Sequence, residues 1–515
     1  MSNKGKVIPL IISGKPITTG GKSGGMPSAN TDFPMKSLKI FFSLLAGLLG
    51  LPAVLTSCIE DGVSTSASDQ PVFSTDTVRM GSLLTLGPSP TSRFIVYNRH
   101  DKIMNISDIA FRDDDAGQFR INVDGMSGRR FSNVEIRPND SIFVFVEATL
   151  SENGRDVPVD VLAHIDFRVN GVTSSVPVKA QGQDVTRVSG DTRFSGETSL
   201  TPGKPYLVND SLVVEEGAIL TLPAGTRLLM HDKAEIIVHG TLCVFGTVEK
   251  PVEITGDRSG FVAASIPYEV MSGQWGGIRF TPTSSANEIH HASIRNSEWG
   301  IILDHCGGSR NEPAMTLHNS VVRNTKNYVV EAIHSSLTAV GCEFSDASLG
   351  ILRLVGSEHL VSQCTLGNYY LFTAIGGPAL RLEHLDPDDE NEPEPENPDD
   401  AQLPWMTATE IHNTIIYGLG PDLSHGDLEG LPVAIVNCLL KSAGSDDQNF
   451  INCLWDTDPL FGVERDNYIF DYRVAADSPA LEAGDTDRRY PLAETDMLGA
   501  PRLPLPTVGA YQEPR

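Results

Sequence analysis

Basic residues are scarce in this chain. Lys and Arg total 39 against 66 Asp and Glu, a formal charge of −27 over 515 residues. Phosphate backbones are held by clustered Lys and Arg, so nucleic acid is excluded as a partner. The same field repels polyanionic glycans unless a cation bridges or a local basic patch exists. Zinc-type spacing is also missing: there are seven cysteines but no CxxC and no paired Cys/His pattern. The apolar stretch Ile40 to Leu55 is short for the roughly 20 residues that span a bilayer. The acidic stretch 386–402 lacks the spaced D-x-D-x-D-G geometry of a calcium loop.

What is present is a phrase that recurs between residues 289 and 442: apolar, any, Asn-like, small, any, apolar, any, Asn-like. Its copies begin at Ile289, Leu317, Ala339, Val361, Ile411 and Ile435. The small residue falls at Ala292, Ser320, Cys342, Cys364, Thr414 and Cys438, a step near 22 with longer gaps where a coil carries extra residues. That period with strand-like content marks a solenoid of coils. The small residue and the apolar one two places on (Ile294, Val322, Phe344, Leu366, Ile416, Leu440) face inward, while Val321 and Arg323 face out. Between strands the chain bends within a residue or two, which His291, Asn319, Gly341, Gln363, Asn413 and Asn437 suit by tolerating a left-handed backbone. Asn and Gln stacked coil on coil can also hydrogen-bond along the axis. The fold class is therefore all-β: a right-handed parallel β-helix over 190–455, preceded by a β-sandwich.

The sandwich is expected over 71–185, where about seven short strands are separated by turn residues such as Asp113 to Gly117 and Asn170-Gly171. Ile136 to Ile142 with Val169-Asn170-Gly171 resembles Ig-like domains of the ASPM/SPD-2/hydin kind, which implies a spacing or binding role. The opening coils, Leu212 to Thr226 and Ile236 to Gly246, resemble the N-terminal coils of bacterial β-helix proteins in the pectin-lyase-like superfamily. Trp275 is expected to pack beside a turn. Residues 456–512, with Asp458-Pro459-Leu460-Phe461 and Val508-Gly509-Ala510-Tyr511, resemble the C-terminal segment of such proteins and are expected to cap the last coil. Asn452 to Trp455 echoes the repeat but follows Cys438 too closely for a full coil.

Upstream, residues 1–34 read as a polar, Gly-rich leader, with Met35 rather than Met1 as the expected start. Lys36 and Lys39, the apolar stretch, and Leu55-Thr56-Ser57-Cys58 resemble a bacterial lipoprotein signal peptide over 35–57, ending in its lipobox. The resemblance implies lipid on Cys58 and membrane attachment, since lipid chains contribute about 0.8 kcal/mol per buried CH₂. Glu60-Asp61 after the cysteine resembles the surface-export signal of Bacteroidota lipoproteins, implying the outer membrane facing the exterior. Residues 58–70 are expected to form a lipidated tether. The other six cysteines are expected as free thiols, because Cys342, Cys364 and Cys438 occupy a column that Ala, Ser and Thr share.

The insertion at 386–402 holds nine acidic residues and four prolines between Asp386 and Asp400, so it is expected as a solvated loop. No cofactor is expected; Ca²⁺ at this loop is the alternative. Catalysis by a β-helix lyase needs a base and a charge neutraliser on one outward face. Arg295 and Arg323 share an outward column, with Lys326 and Arg353 nearby, and Arg295, Arg323 and Lys326 are the candidate catalytic residues. The column continues as Ser345 and Gly367, so the basic patch stops. The Arg-x-Pro-Arg pattern of pectate lyases and the Asn-Thr-Asp and Gly-His-Gly set of polygalacturonases are missing; Ser424 to Asp427 is a superficial echo. His290, His318 and His412 share another outward column and read as a solvated face. Two functions stand: a non-catalytic surface lipoprotein binding a polysaccharide or surface protein, or a polysaccharide-degrading lyase or glycosidase.

Overall fold

The computed structural model describes residues 62–190, 192–263, 266–383, 406–487 and 490–515. The leader, the signal segment, Cys58 and the acidic insertion 386–402 lie outside the described residues. From Thr186 to Ile451 the chain winds through three parallel sheets of 10, 9 and 10 strands. Each coil visits the first, second and third sheet in turn, as in 206–208, 211–214 and 219–223. This is a parallel β-helix. In the first sheet Leu228, Ile254, Ile294, Val322, Phe344, Leu366, Ile416 and Leu440 stand in register, all fully buried. Each such side chain contributes about 1.5–3 kcal/mol by leaving water.

The bend column lies where the third sheet passes to the first. His291, Asn319, Gly341, Gln363, Asn413, Asn437 and Asn452 all have φ between 45° and 68°, the left-handed region that Asn and Gly enter at least cost. Three of these side chains turn away from the axis. Asn319 Nδ2 donates to the Asp496 carbonyl at 3.2 Å, Asn413 Nδ2 to that of Asp485 at 3.0 Å and Asn437 Nδ2 to that of Ala483 at 3.4 Å. They hold the C-terminal segment instead.

The small inward column carries hydroxyls and thiols for a reason visible in its bonds. Ser320 Oγ donates to the His318 carbonyl at 2.8 Å and accepts from Ala292 N at 3.0 Å. Cys364 Sγ donates to the Ser362 carbonyl at 3.3 Å and accepts from Cys342 N at 3.4 Å. Thr414 Oγ1 does the same between His412 and Cys364. A short polar head thus satisfies a backbone N–H that the bend leaves without a strand partner. All six described cysteines are free, and Cys342, Cys364 and Cys438 are buried. Burial pushes the thiols of Cys342 and Cys438 up, away from the reactive thiolate. A thiol reagent is expected to leave these three unlabelled in the native protein and to label all of them in denaturant; two thiols missing after unfolding would reveal a Cys342–Cys364 bridge.

Before the solenoid, two sheets share one apolar core that includes Phe94, Ile106, Phe119, Val144, Ile165 and Phe167. One sheet orders its strands 72–73, 92–97, 141–148, 119–123, 126–128. The other runs 78–84, 172–183, 159–169, 104–112, 130–131, with 134–136 also on 104–112. Asn170-Gly171, both at positive φ, closes the long hairpin of 159–169 and 172–183. The strand 78–84 escapes a reading by alternation because Gly81, at φ 72°, interrupts it beside a register shift. The expected tether is shorter at its C-terminal end: Ser64 N donates to the Ile103 carbonyl at 2.8 Å and Ser64 is buried.

The tail does not sit on the solenoid's end. The last coil is sealed by Phe450 and Trp455, ring centroids 5.1 Å apart, with buried Leu428. Leu454 bridges Leu439 in parallel, so the short echo at 452–455 completes a partial coil. Residues 461–512 run back along the first sheet. The hairpin 461–464/469–474 comes first, then Ala480 and Val508 packed with Ile415 and Leu439, and Leu492 reaches His318. The expected cap is a lateral strap, because Ile415, Tyr417 and Leu439 make this outward face apolar.

Candidate functional site

Register places Arg295 beside Arg323, followed by Ser345, Gly367 and Tyr417, as the repeat predicts. The strap roofs much of this column. The Tyr472 ring lies on Gly367, where any Cβ would collide with it. Tyr472 Oη donates to Asp346 Oδ1 at 2.6 Å and Tyr511 Oη to Glu343 Oε2 at 2.5 Å. Glu343 Oε1 accepts from Ser345 Oγ at 2.8 Å. Arg323 Nε is buried without a hydrogen-bond partner, and its charge acts on Asp346 and Tyr511. Arg295 is half-buried, and Trp275, itself buried, donates Nε1–H to its carbonyl at 2.8 Å. Lys326 is exposed, over Gly273 and off the column. The three candidates are thus not brought to one open point: Arg323 lies beneath strap tyrosines and Lys326 stands apart. Arg353, on the second sheet, is bound by Glu331 and Glu383.

The histidine column is real but differs from a solvated face. His290, His318 and His412 align in the third sheet, with Val340 and Ser362 between the last two. His318 Nε2 meets the Leu492 carbonyl at 2.8 Å, which fixes its proton there and leaves Nδ1 to accept from His290 Nδ1 at 3.3 Å. Burial, then the neighbouring His290, push His318 down to about 4. Among the described residues no group of three His, Cys, Asp or Glu is arranged to hold a metal.

An open concavity lies elsewhere, between the sandwich and the first coils. A cleft of about 580 Å³ has Met80, Leu83 and Pro88 on one wall and Leu207, Arg258 and Tyr268 on the other. Its walls are tied together: Arg187 Nη2 donates to the Thr85 carbonyl at 3.0 Å and Ser259 Oγ to that of Ser82 at 2.8 Å. His231 Nδ1 meets Asp257 Oδ2 at 2.7 Å. The Arg258 guanidinium lies 5.9 Å from the Tyr268 ring centroid, within cation–π range. Residues 257–276 are an insertion at the corner between the first and second sheets. Asn296 Nδ2 clamps it by donating to the Glu269 and Met271 carbonyls at 2.8 and 2.9 Å, and Asn324 Nδ2 reaches Glu269 at 2.9 Å. Sequence reasoning missed this cleft. Its one signal was the long interval between Gly256 and Gly277.

No family model matches the chain. No curated protein matches it. Among solved structures, similarity is found to a family 123 glycoside hydrolase from Clostridium perfringens, described for glycolipid glycan hydrolysis, at 9% identity and a TM-score of 0.17. The match covers 24% of this chain and 26% of that one, about a quarter of each. No helix among the described residues is long and apolar enough to cross a membrane.

Proposed function

We propose that this chain is an outer-membrane or cell-surface lipoprotein, held by lipid on Cys58, whose β-helix is a non-catalytic scaffold binding a glycan or a protein partner. The observation that carries the reading is the strap. Tyr472 lies on Gly367 in the column of Arg295 and Arg323, and the hydroxyls of Tyr472 and Tyr511 take up Asp346 and Glu343 beside it. A polymer substrate needs that surface free and an acid and a base within reach of it. Among the described residues the cleft offers no second carboxylate to work with: Asp257 is the one that lines it, and it is paired with His231. The Sandwich, in this reading, is the Ig-like spacer between lipid and scaffold.

The test incubates the protein with plant, host and algal polysaccharides, with and without Ca²⁺, and follows new chain ends and retention on affinity gels. Retention of a glycan or a surface protein without cleavage is expected. Cleavage of any glycan would replace the reading with a polysaccharide-degrading enzyme. The Cys58→Ser variant, run alongside, is expected to leave the detergent phase for the aqueous one; continued partitioning into detergent would remove the lipid anchor from the proposal.

A further inference from the structure

We infer that the cleft between the sandwich and the first coils is a docking site for an extended peptide segment carrying an acidic side chain flanked by apolar ones. This deepens the binding reading above and rests on it. Charge complementarity names the acid. In a chain of net charge −27, the cleft carries Arg187 and Arg258, while its one carboxylate, Asp257, is paired with His231. The sandwich wall contributes no charged group at all. Arg258 is exposed and its planar fork is open to a bidentate carboxylate, while Arg187, also exposed, spends Nη2 on the Thr85 carbonyl and adds its charge.

The walls name the rest of the ligand. Met80, Leu83, Leu84, Pro88 and Pro90 give the sandwich side an apolar surface, which suits aliphatic side chains better than the hydroxyls of a sugar. They belong to or follow the strand 78–84, which ends its sheet and pairs on one side only, with 172–183. An edge strand offers main-chain groups to an extended peptide. A second, independent feature stands at the rim. The insertion 257–276 projects the hairpin 261–263/266–267 between two cleft-lining residues, Ser259 and Tyr268. Phe261 at its start is 63% exposed and Val262 45%. Large apolar side chains held out on a clamped insertion mark an interaction surface. The hydrogen bonds that tie the walls together make the site pre-formed, which lowers the ordering cost of binding.

The experiment selects random displayed peptides on the full chain in detergent micelles and then measures labelled synthetic peptides by fluorescence anisotropy. One synthetic peptide alternates leucine with glutamate; its counterpart has glutamine in place of glutamate. Selected sequences are expected to set Asp or Glu between apolar residues, and the glutamate peptide to bind at least tenfold tighter than the glutamine one. Arg258→Gln should erase that preference, and Asn209→Trp, at an exposed lining position, should abolish binding of both while leaving the melting curve unchanged. Selection of sequences without an acid, no selection at all, or binding indifferent to both variants would overturn the inference. If a glycan or surface protein is still retained in that case, the binding reading stands without it; if glycans are cleaved, both fall.

Discussion

Replacing Asp346 by Asn is expected to stabilise the protein at about pH 8 by on the order of 4 kcal/mol and to change little at about pH 4. Asp346 is buried at the corner that ends a first-sheet strand, with φ 61°. Its Oδ1 accepts from Tyr472 Oη at 2.6 Å and Tyr369 N at 3.1 Å, while Oδ2 has no partner. Burial pushes the carboxyl up from 3.8 to about 7, against the opposing pull of the Tyr472 hydrogen bond and the Arg323 charge. The folded state therefore holds the proton more tightly than the unfolded chain. Stability from this group is fully present below about pH 4 and is lost as pH rises through about 7. Asn cannot ionise, tolerates the left-handed backbone, and already occupies the same corner at Asn296 and Asn324. The measurement is urea unfolding of both proteins from about pH 4 to about pH 9. The upper half decides it, because His318 and His359, both pushed down to about 4 by burial, contribute stability that is present above about pH 6.5 and lost as pH falls toward 4. Parallel curves for wild type and variant above pH 5 would sink the assignment.

Asp346 also shows what the sequence made legible and what it did not. The phrase around it was readable because inward side chains and bends recur once per coil, and six coils repeat the same demand: Phe344 must fill the interior and the bend at Gly341 must turn left-handed. Nothing periodic marks the contacts that cross between segments. Asp346 meets Tyr472, and Asn319 meets Asp496, at separations of 126 and 177 residues. An outward column such as Arg295, Arg323, Ser345, Gly367 therefore read as solvent-facing, although Gly367 is small because a tyrosine ring lies on it. The cleft was hidden for the same reason. Met80 lies in a sandwich strand and Tyr268 in the 257–276 insertion, far apart along the chain, and only the unusual length of one corner hinted that something was built there.

Replacing Arg353 by Ala is expected to destabilise the fold by about 3–5 kcal/mol, the cost of breaking a buried ion pair by removing one partner. Arg353 stands in register between Glu331 and Arg381 on the outer side of the second sheet. Its side chain is 9% exposed and that of Glu331 6%. Nη1 lies 3.2 Å from Glu331 Oε1, and Nε 2.8 Å from Glu383 Oε2. Arg381 Nε approaches Glu383 Oε1 to 2.8 Å, but its angle makes no hydrogen bond, so Arg353 is the better directed partner of Glu383. Lysine cannot restore the arrangement, because one ammonium does not present the guanidinium fork to carboxylates on two neighbouring coils. Truncation leaves Glu331 charged and without this arginine in a site nearly closed to water, and that desolvation dominates the loss. Removing both charges tests the argument. The double variant Arg353→Met with Glu331→Met is expected to unfold at higher urea than Arg353→Ala, because Glu383 keeps Arg381 beside it and no buried carboxylate remains at position 331. Additive effects of the two single changes, or a loss below about 1 kcal/mol for Arg353→Ala, the range of exposed pairs, would mean that water already reaches the pair and that the second sheet owes its stability to its apolar columns alone.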